Sequence, residues 1–430
     1  VAGNTIRNIG GRCDYTAGVQ VERGVSNRVV GNNIYEVGNY GISLGGGDFT
    51  TLTPAGNTAE NNYLHHVGLL NGHGCGIAFH GAGNRVSHNL IHDTARCGIF
   101  GGGNDNLVEY NRIRHVNLQT CDTGGIYVCA GNDGWMRRGL AIRYNFITDV
   151  LGFGVKQAKW ACPYYSWGIY LDDAISEATV EGNIVARVPL GGVHIHGGRD
   201  HLVRNNILVD GQDQQMTWSG SRPPNTLEPG MRDAFAKYRD NPAYRARYPL
   251  FAALDPDTAG PMGGNRFFRN VLCFASNSRP YFLNNYLGDQ NACDSNVLWC
   301  GGAPLRVNVP GAQADRQWEA WSEAGNDGAS LMADPQFVDA GKDDFRLKPS
   351  SPAFKLGFAP IPVEKIGPYA DPLRASWPIV EAPGVRERPY SAEDPAPIPL
   401  LSGSGSALAR TNPVARATAR IVADGVLAPG

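Results

Sequence analysis

The sequence predicts an all-β chain wound as a right-handed parallel β-helix, with a small helical insertion and an irregular C-terminal tail. Three observations carry that prediction. The motif Asn-x-[Ile/Leu/Val] recurs at Asn4, Asn32, Asn62, Asn89, Asn111, Asn145, Asn183, Asn206, Asn270 and Asn296, at intervals of 28, 30, 27, 22, 34, 38, 23, 64 and 26 residues. A Gly-[Ile/Val] step follows most of them, at Gly41, Gly76, Gly98, Gly125, Gly168 and Gly192. Between these landmarks apolar and polar residues alternate in period two, as in Val193-His194-Ile195-His196, which is strand spacing and not helix spacing.

A shortest interval of 22 residues fits three short strands and three turns, one rung of a β-helix. The Asn column has a physical reason. Asn tolerates the left-handed backbone of a tight corner, and stacked Asn side chains can hydrogen-bond from rung to rung. A leucine-rich repeat would show denser Leu, and a propeller would show four strands per ~40 residues; neither pattern is present. The 55 glycines serve the many turns, without the three-residue period of collagen.

Rung lengths say where function can be housed, because a solenoid accepts insertions only at its turns. The rungs beginning at Asn111 and Asn145 are long, at 34 and 38 residues. The gap from Asn206 to Asn270 holds an insertion at about 211–264. Its stretch from Met231 to Leu254 reads as short amphipathic helices cut by Pro242 and Pro249, forming a rim or lid. Asp334-Pro335-Gln336-Phe337-Val338 and Phe345-Arg346-Leu347 read as closing strands. The solenoid is therefore expected over 1–374, and the Pro/Ala/Ser-rich stretch 375–430 reads as a tail or linker.

Composition narrows the partners. Lys+Arg 38 against Asp+Glu 40 gives a net charge of −2, which provides no electrostatic reason to expect nucleic acid or an anionic membrane surface. No apolar run is long enough to cross a bilayer. Val1-Ala2-Gly3-Asn4 carries no basic or apolar leader and reads as an internal start. The nine cysteines follow no zinc spacing; Cys75 and Cys97 precede landmark glycines on successive rungs and read as stacked free thiols. No metal and no cofactor is expected, and an array covered at both ends reads as a monomer.

Stacking turns sequence columns into surface ladders about 4.8 Å apart. One residue beyond the landmark Ile or Val, the outward positions are Ser43, Ala78, Phe100, Tyr127, Tyr170 and His194. Three beyond it come Gly45, His80, Gly102, Cys129, Asp172 and His196. Tyr127, Tyr170, Asp172, His194 and His196 thus form an aromatic, His and carboxylate patch. His65, His66, His88, His92 and His115 read instead as satisfied turn or surface residues.

The carboxylates carry the chemistry. Cys121-Asp122-Thr123-Gly124-Gly125-Ile126-Tyr127 and Gly168-Ile169-Tyr170-Leu171-Asp172-Asp173 lie on adjacent long rungs. Neighbouring acids push one pKa up, giving a proton donor and an ionised partner, as glycosidic cleavage needs. A straight strand would hold Asp122 and Asp173 about 25 Å apart, whereas such a pair needs about 5–9.5 Å. The pairing thus requires a bend at Gly124-Gly125; the alternative is that Asp172 or Asp173 works with Asp122 through a folded-back loop.

These segments, followed by His194-Ile195-His196-Gly197-Gly198-Arg199-Asp200, resemble the right-handed β-helix proteins related to glycoside hydrolase family 141. The insertion text Asn241-Pro242-Ala243-Tyr244 through Arg247-Tyr248-Pro249-Leu250 and Asp334-Pro335-Gln336-Phe337-Val338 share the resemblance, which covers roughly residues 25 to 370. It implies hydrolysis of plant or algal cell-wall polysaccharide, with fucosidase or xylanase activity, by a secreted or periplasmic protein. The implied catalytic pair falls on Asp122 and on Asp172 or Asp173, and Gly125 stands where the family pattern has Ala. On this reading Tyr127 and Tyr170 stack on a sugar ring, and His194, His196 and Arg199 hold hydroxyls or a carboxylate. Asp200 and His80 complete the candidate binding set. Two rivals remain. A polysaccharide lyase or epimerase would need a base and a cation beside a uronate, and Lys156 and Lys159 are the only lysines near the patch. The other is a non-catalytic glycan-binding or adhesin solenoid.

Overall fold

The computed structural model describes residues 1–10, 16–219, 229–259, 262–274, 280–284, 291–303 and 306–383. The expected tail beyond 383, Cys13, and residues 220–228, 260 and 261 of the expected insertion lie outside them. Three parallel sheets of eleven, ten and nine strands run the length of the molecule, each strand pairing with its equivalents one rung before and after. The wall between them is a single apolar column: Ile34, Leu64, Ile91, Ile113, Ile147 and Val185 from one sheet meet Ile42, Ile77, Ile99, Ile126, Ile169 and Val193 from another, all fully buried.

The Asn column is one continuous ladder. Each side-chain oxygen from Asn32 to Asn296 accepts the backbone N–H and the side-chain amide of the preceding ladder Asn, at 2.9–3.2 Å. Even the 64-residue gap is bridged this way, so the whole insertion hangs from one rung. The corner mechanism differs from the expectation. The left-handed residue is the one before the ladder Asn, as at Asn61 (φ 56°), His88 (56°), Tyr110 (55°), Tyr144 (55°) and Arg269 (55°). The Asn itself stays outside that region and spends its amide on the ladder.

The landmark glycines bend the strand. A Cβ on Gly76, Gly98 or Gly125 would stand 2.5–2.6 Å from the Cγ2 of Ile91, Ile113 or Ile147, so the glycine position points into the core. The following Ile is also fully buried. Two successive inward residues break the period-two alternation, and the chain turns a corner at each Gly. At Gly125 the space that an Ala methyl would need is taken by Ile147 and Val150.

The insertion forms three helices, Pro229–Arg239, Pro242–Arg247 and Pro249–Ala252. Pro242 and Pro249 open the second and third, where a missing N–H is harmless. Asn241 caps the second through Ala243 N at 2.9 Å and anchors it to Thr50 O. Met231, Phe235, Tyr244, Tyr248 and Phe251 bury against Trp135 and Met136. The helices therefore buttress the short 3-10 turn Gly131–Met136, a rim rather than a lid.

The expected closing strands do not add rungs. Phe337–Asp339 and Asp344–Leu347 make an antiparallel hairpin laid on the outer face of the eleven-stranded sheet, packing Phe345 on Phe146 and covering Ile184 and Ile207. The chain then returns along the solenoid to its first rungs. Gly367 N bonds Tyr110 O, Tyr369 N bonds Asn61 Oδ1, Ala375 N bonds Gly31 O and Ala382 N bonds the Tyr63 hydroxyl. The expected boundary at 374/375 falls inside this strap. Beneath it the Tyr63 hydroxyl meets His92 Nε2 at 3.0 Å and His115 Nδ1 meets Asp93 at 2.6 Å, so these histidines are satisfied structural groups. Cys75 and Cys97 stack as buried free thiols with sulfurs 3.0 Å apart.

Candidate active site

The ten-stranded sheet sets out the site in register. Phe100, Tyr127, Tyr170, His194 and Thr217 occupy one column across five rungs. Asp122 immediately precedes the strand Thr123–Val128, and Asp172 immediately follows the paired strand Ser166–Leu171. The corner at the landmark glycine folds the two strand ends toward each other. The Tyr170 phenol feels both the Asp122 and the Asp172 carboxylates, and the two charges act on each other. Asp122 and Asp172 therefore lie close enough for their charges to interact.

Asp172 is the saturated member. Its Oδ1 accepts from His196 Nδ1 at 2.6 Å and from Asp173 N at 2.8 Å, and its Oδ2 accepts from the Tyr127 hydroxyl at 2.9 Å. Burial would raise its pKa, but the His196, Asp173 and Tyr127 bonds outweigh burial and hold it below the usual carboxylate value. Asp122 is more open, and its pKa is raised by partial burial and by the charge of Asp172. Asp173 is raised for the same two reasons, and its Oδ2 accepts from Gly131 N at 3.1 Å. Burial and nearby carboxylates push both Tyr127 and Tyr170 far above the usual phenol value, so both stay protonated donors.

Several expected binding residues do other work. His194 points away from the core yet is 4% exposed, sandwiched on Trp167 (ring centroids 4.3 Å apart) and against Tyr170. Burial and His196 lower its pKa to about 3, so it is a neutral packing residue and not a surface ligand. Arg199 is buried beside Trp135. Asp200 accepts at 3.2 Å from the fully buried Arg138, which also bonds Glu177. Both belong to the packing under the helical insertion, because a buried guanidinium needs carboxylates around it. His80 is exposed on the column of Asp172, with Gly102 and Cys129 on the two rungs between them. His196 remains open, its side chain 45% exposed.

Three residues at the site, Arg96, Trp167 and Tyr165, escaped the sequence reading. Arg96 donates to Asp122 O at 3.3 Å, lies over the Tyr127 ring at 5.3 Å, and is the cation acting on Asp122. Trp167 roofs His194, and Tyr165 accepts from Asp122 N at 2.7 Å. Cys129 sits between Asp172 and Gly102, its thiol pushed up to about 11 by burial and Asp173. Arg96, Trp167 and Tyr165 have no local pattern; only the stacking register brings them in, whereas Cys129 is placed by its column. Lys156 and Lys159 face each other across an antiparallel hairpin, Gly154–Lys156 with Lys159–Ala161, and both are exposed. Among the described residues no group of three or more His, Cys, Asp or Glu is arranged to hold a metal ion.

The His196–Asp172 pair makes stability depend on pH in a defined window. The Asp172 bond raises the His196 pKa, so its contribution is full below ~6.5 and lost as pH rises through the folded value. Asp172 is depressed, so its contribution is present above ~3.9 and lost as pH falls through its folded value. Thermal unfolding followed against pH should show a His-dependent loss as pH rises above ~6.5. His196→Gln should flatten that limb, and an unchanged limb would remove the pair as its source.

Residues 1–166 match the family model described as the right handed beta helix region. Among solved structures, the chain is similar to a polysaccharide lyase of family PL6 from Pseudopedobacter saltans, at 11% identity and a TM-score of 0.35, over 85% of this chain and 94% of that one. No curated protein matches the sequence. With three stacked parallel sheets and that family match, the chain is an all-β, right-handed parallel β-helix protein.

Proposed function

We propose that this chain hydrolyses glycosidic bonds in plant or algal cell-wall polysaccharide. Asp122 is the proton donor and Asp172 its ionised partner. One observation carries the reading: on adjacent rungs, an open Asp122 and an Asp172 saturated by His196, Asp173 N and Tyr127 act on each other and have pKa values displaced in opposite directions. That is the division of labour glycoside cleavage requires, one acid to protonate the leaving oxygen and one anion to face the developing positive charge. His196 and Tyr127 hold Asp172 in its charged form and fix its orientation. A lyase is less well served. Of the side chains around the two carboxylates, a base would have to be a phenol held protonated or His196, which is bound to Asp172. The substrate places the protein in the secreted or periplasmic space, acting as a monomer.

The test is incubation with pectic, xylan and fucose-containing glycans. New reducing ends and the ultraviolet absorbance of an unsaturated uronide are read in the same wells. Reducing ends without absorbance are expected. Absorbance would replace the hydrolase by a lyase, and binding without either signal would leave a glycan-binding solenoid.

A further inference from the structure

The aromatic rings of the site divide into two kinds. Tyr127, Tyr170, Trp167 and His194 pack on one another in a continuous row, with ring centroids 4.3–5.1 Å apart, and Tyr170, Trp167 and His194 are buried. These rings give hydroxyls to the carboxylates but offer little open face. Tyr165 is different. It is 44% exposed, and among the described residues only Trp377, far away on the C-terminal strap, is another aromatic so open to water.

Its backbone turns one of the left-handed corners of the solenoid, next to the acid in space. Tyr165 has φ 39° and Asp122 φ 54°, both left-handed, and the Asp122 N–H donates to Tyr165 O at 2.7 Å. The ring leans on the edge of Trp167 at 5.0 Å and on Tyr164 at 5.9 Å. Just upstream the hairpin Gly154–Lys156 with Lys159–Ala161 stands out from the long rung, stiffened by Phe153 stacked on Trp160 at 4.8 Å and 11°. The rung therefore spends its extra length on an aromatic shoulder locked to the backbone of the acid.

We propose that Tyr165 is a stacking platform for a pyranose ring of the glycan next to the cleaved bond, on the side of Asp122. This rests on the hydrolase reading above. A sugar presents apolar C–H faces and a polar hydroxyl rim, and an exposed aromatic with a polar tip matches both. With Asp122 as donor, the ring stacked on Tyr165 belongs to the chain that departs. The site then takes a glycan of at least two sugars across the bond.

The full chain carrying Asp122→Asn, which does not consume its ligand, is titrated calorimetrically with hexasaccharides of xylan, fucoidan and rhamnogalacturonan. Adding Tyr165→Ala is expected to weaken binding of the hexasaccharide that binds by roughly tenfold, the scale of removing one stacked aromatic. Tyr165→Phe should retain affinity, and the melting temperatures of both variants check that they fold as the parent does. Equal affinity for Tyr165→Ala overturns the platform and leaves the hydrolase standing. Loss with Tyr165→Phe as well would put the contact in the hydroxyl and overturn stacking. Failure of all three hexasaccharides to bind the parent would overturn the glycan reading and the platform together.

Discussion

Asp122→Asn is expected to lower turnover by at least about 10³ while leaving glycan affinity near its parent value. The amide keeps the shape of the side chain and its place beside the Tyr170 hydroxyl, but it has no proton to give. The parent carboxyl has its pKa raised by burial and by Asp172, which lets it stay protonated further toward neutrality than a free Asp. The parent rate should therefore fall as pH rises through that raised value, and the variant should lose this limb along with its rate. Rates measured from new reducing ends, with affinity measured separately, separate chemistry from binding. Near-normal turnover in Asp122→Asn would take Asp122 out of the reaction. Asp172→Asn is a harsher change, since it removes the charge and leaves one acceptor oxygen where His196, Asp173 N and Tyr127 had two.

The second large effect lies in the Asn ladder. Asn145 is fully buried, donates to Val108 O, Arg143 O and Asn183 Oδ1, and accepts both the N–H and the amide of Asn111. Asn145→Ala leaves the Asn111 N–H and the Val108 carbonyl without these partners in a dry interior. At about 1–3 kcal/mol for each buried polar group left unsatisfied, the loss should be about 3–5 kcal/mol. That is a large share of the ~5–15 kcal/mol that holds a typical domain. Asn4→Ala, at the exposed end of the same ladder, should cost well under half as much, because water can replace what it gives up. Urea unfolding of the two variants decides the matter, and equal losses would mean that the ladder does not act through burial.

What could be read from sequence followed the rung, and what could not followed the space between rungs. The Asn column was legible because its spacing repeats, and it recurs in the structure with every bond in place. The bend at Gly124-Gly125 was legible as a requirement of the carboxylate pair. Its cause, a core with no room for a methyl at Gly125, needed the partner Ile147 from another sheet. A second, interrupted Asn ladder passed unnoticed, joining Asn27 to Asn57 and Asn84 to Asn106, because it does not run through every rung. His194 shows the limit of column reasoning. Pointing outward does not mean being exposed when a Trp two residues upstream of the neighbouring landmark Ile folds over it. Asp200 shows another: its partner Arg138 lies 62 residues away with no local pattern to announce it.

The returning strap changes how this molecule comes apart. A solenoid has only nearest-neighbour contacts, so its terminal rungs normally fray first and independently. Here Ala375 is bonded to Gly31, Arg374 to Asn33 and Tyr369 to Asn61, contacts more than 300 residues apart in sequence. The first rungs cannot peel off without lifting the strap, and the strap cannot lift without uncovering the Tyr63 and His92 layer beneath it. The open stack is thereby tied into a loop whose start guards its finish. Loss of either end is converted from local fraying into one cooperative opening.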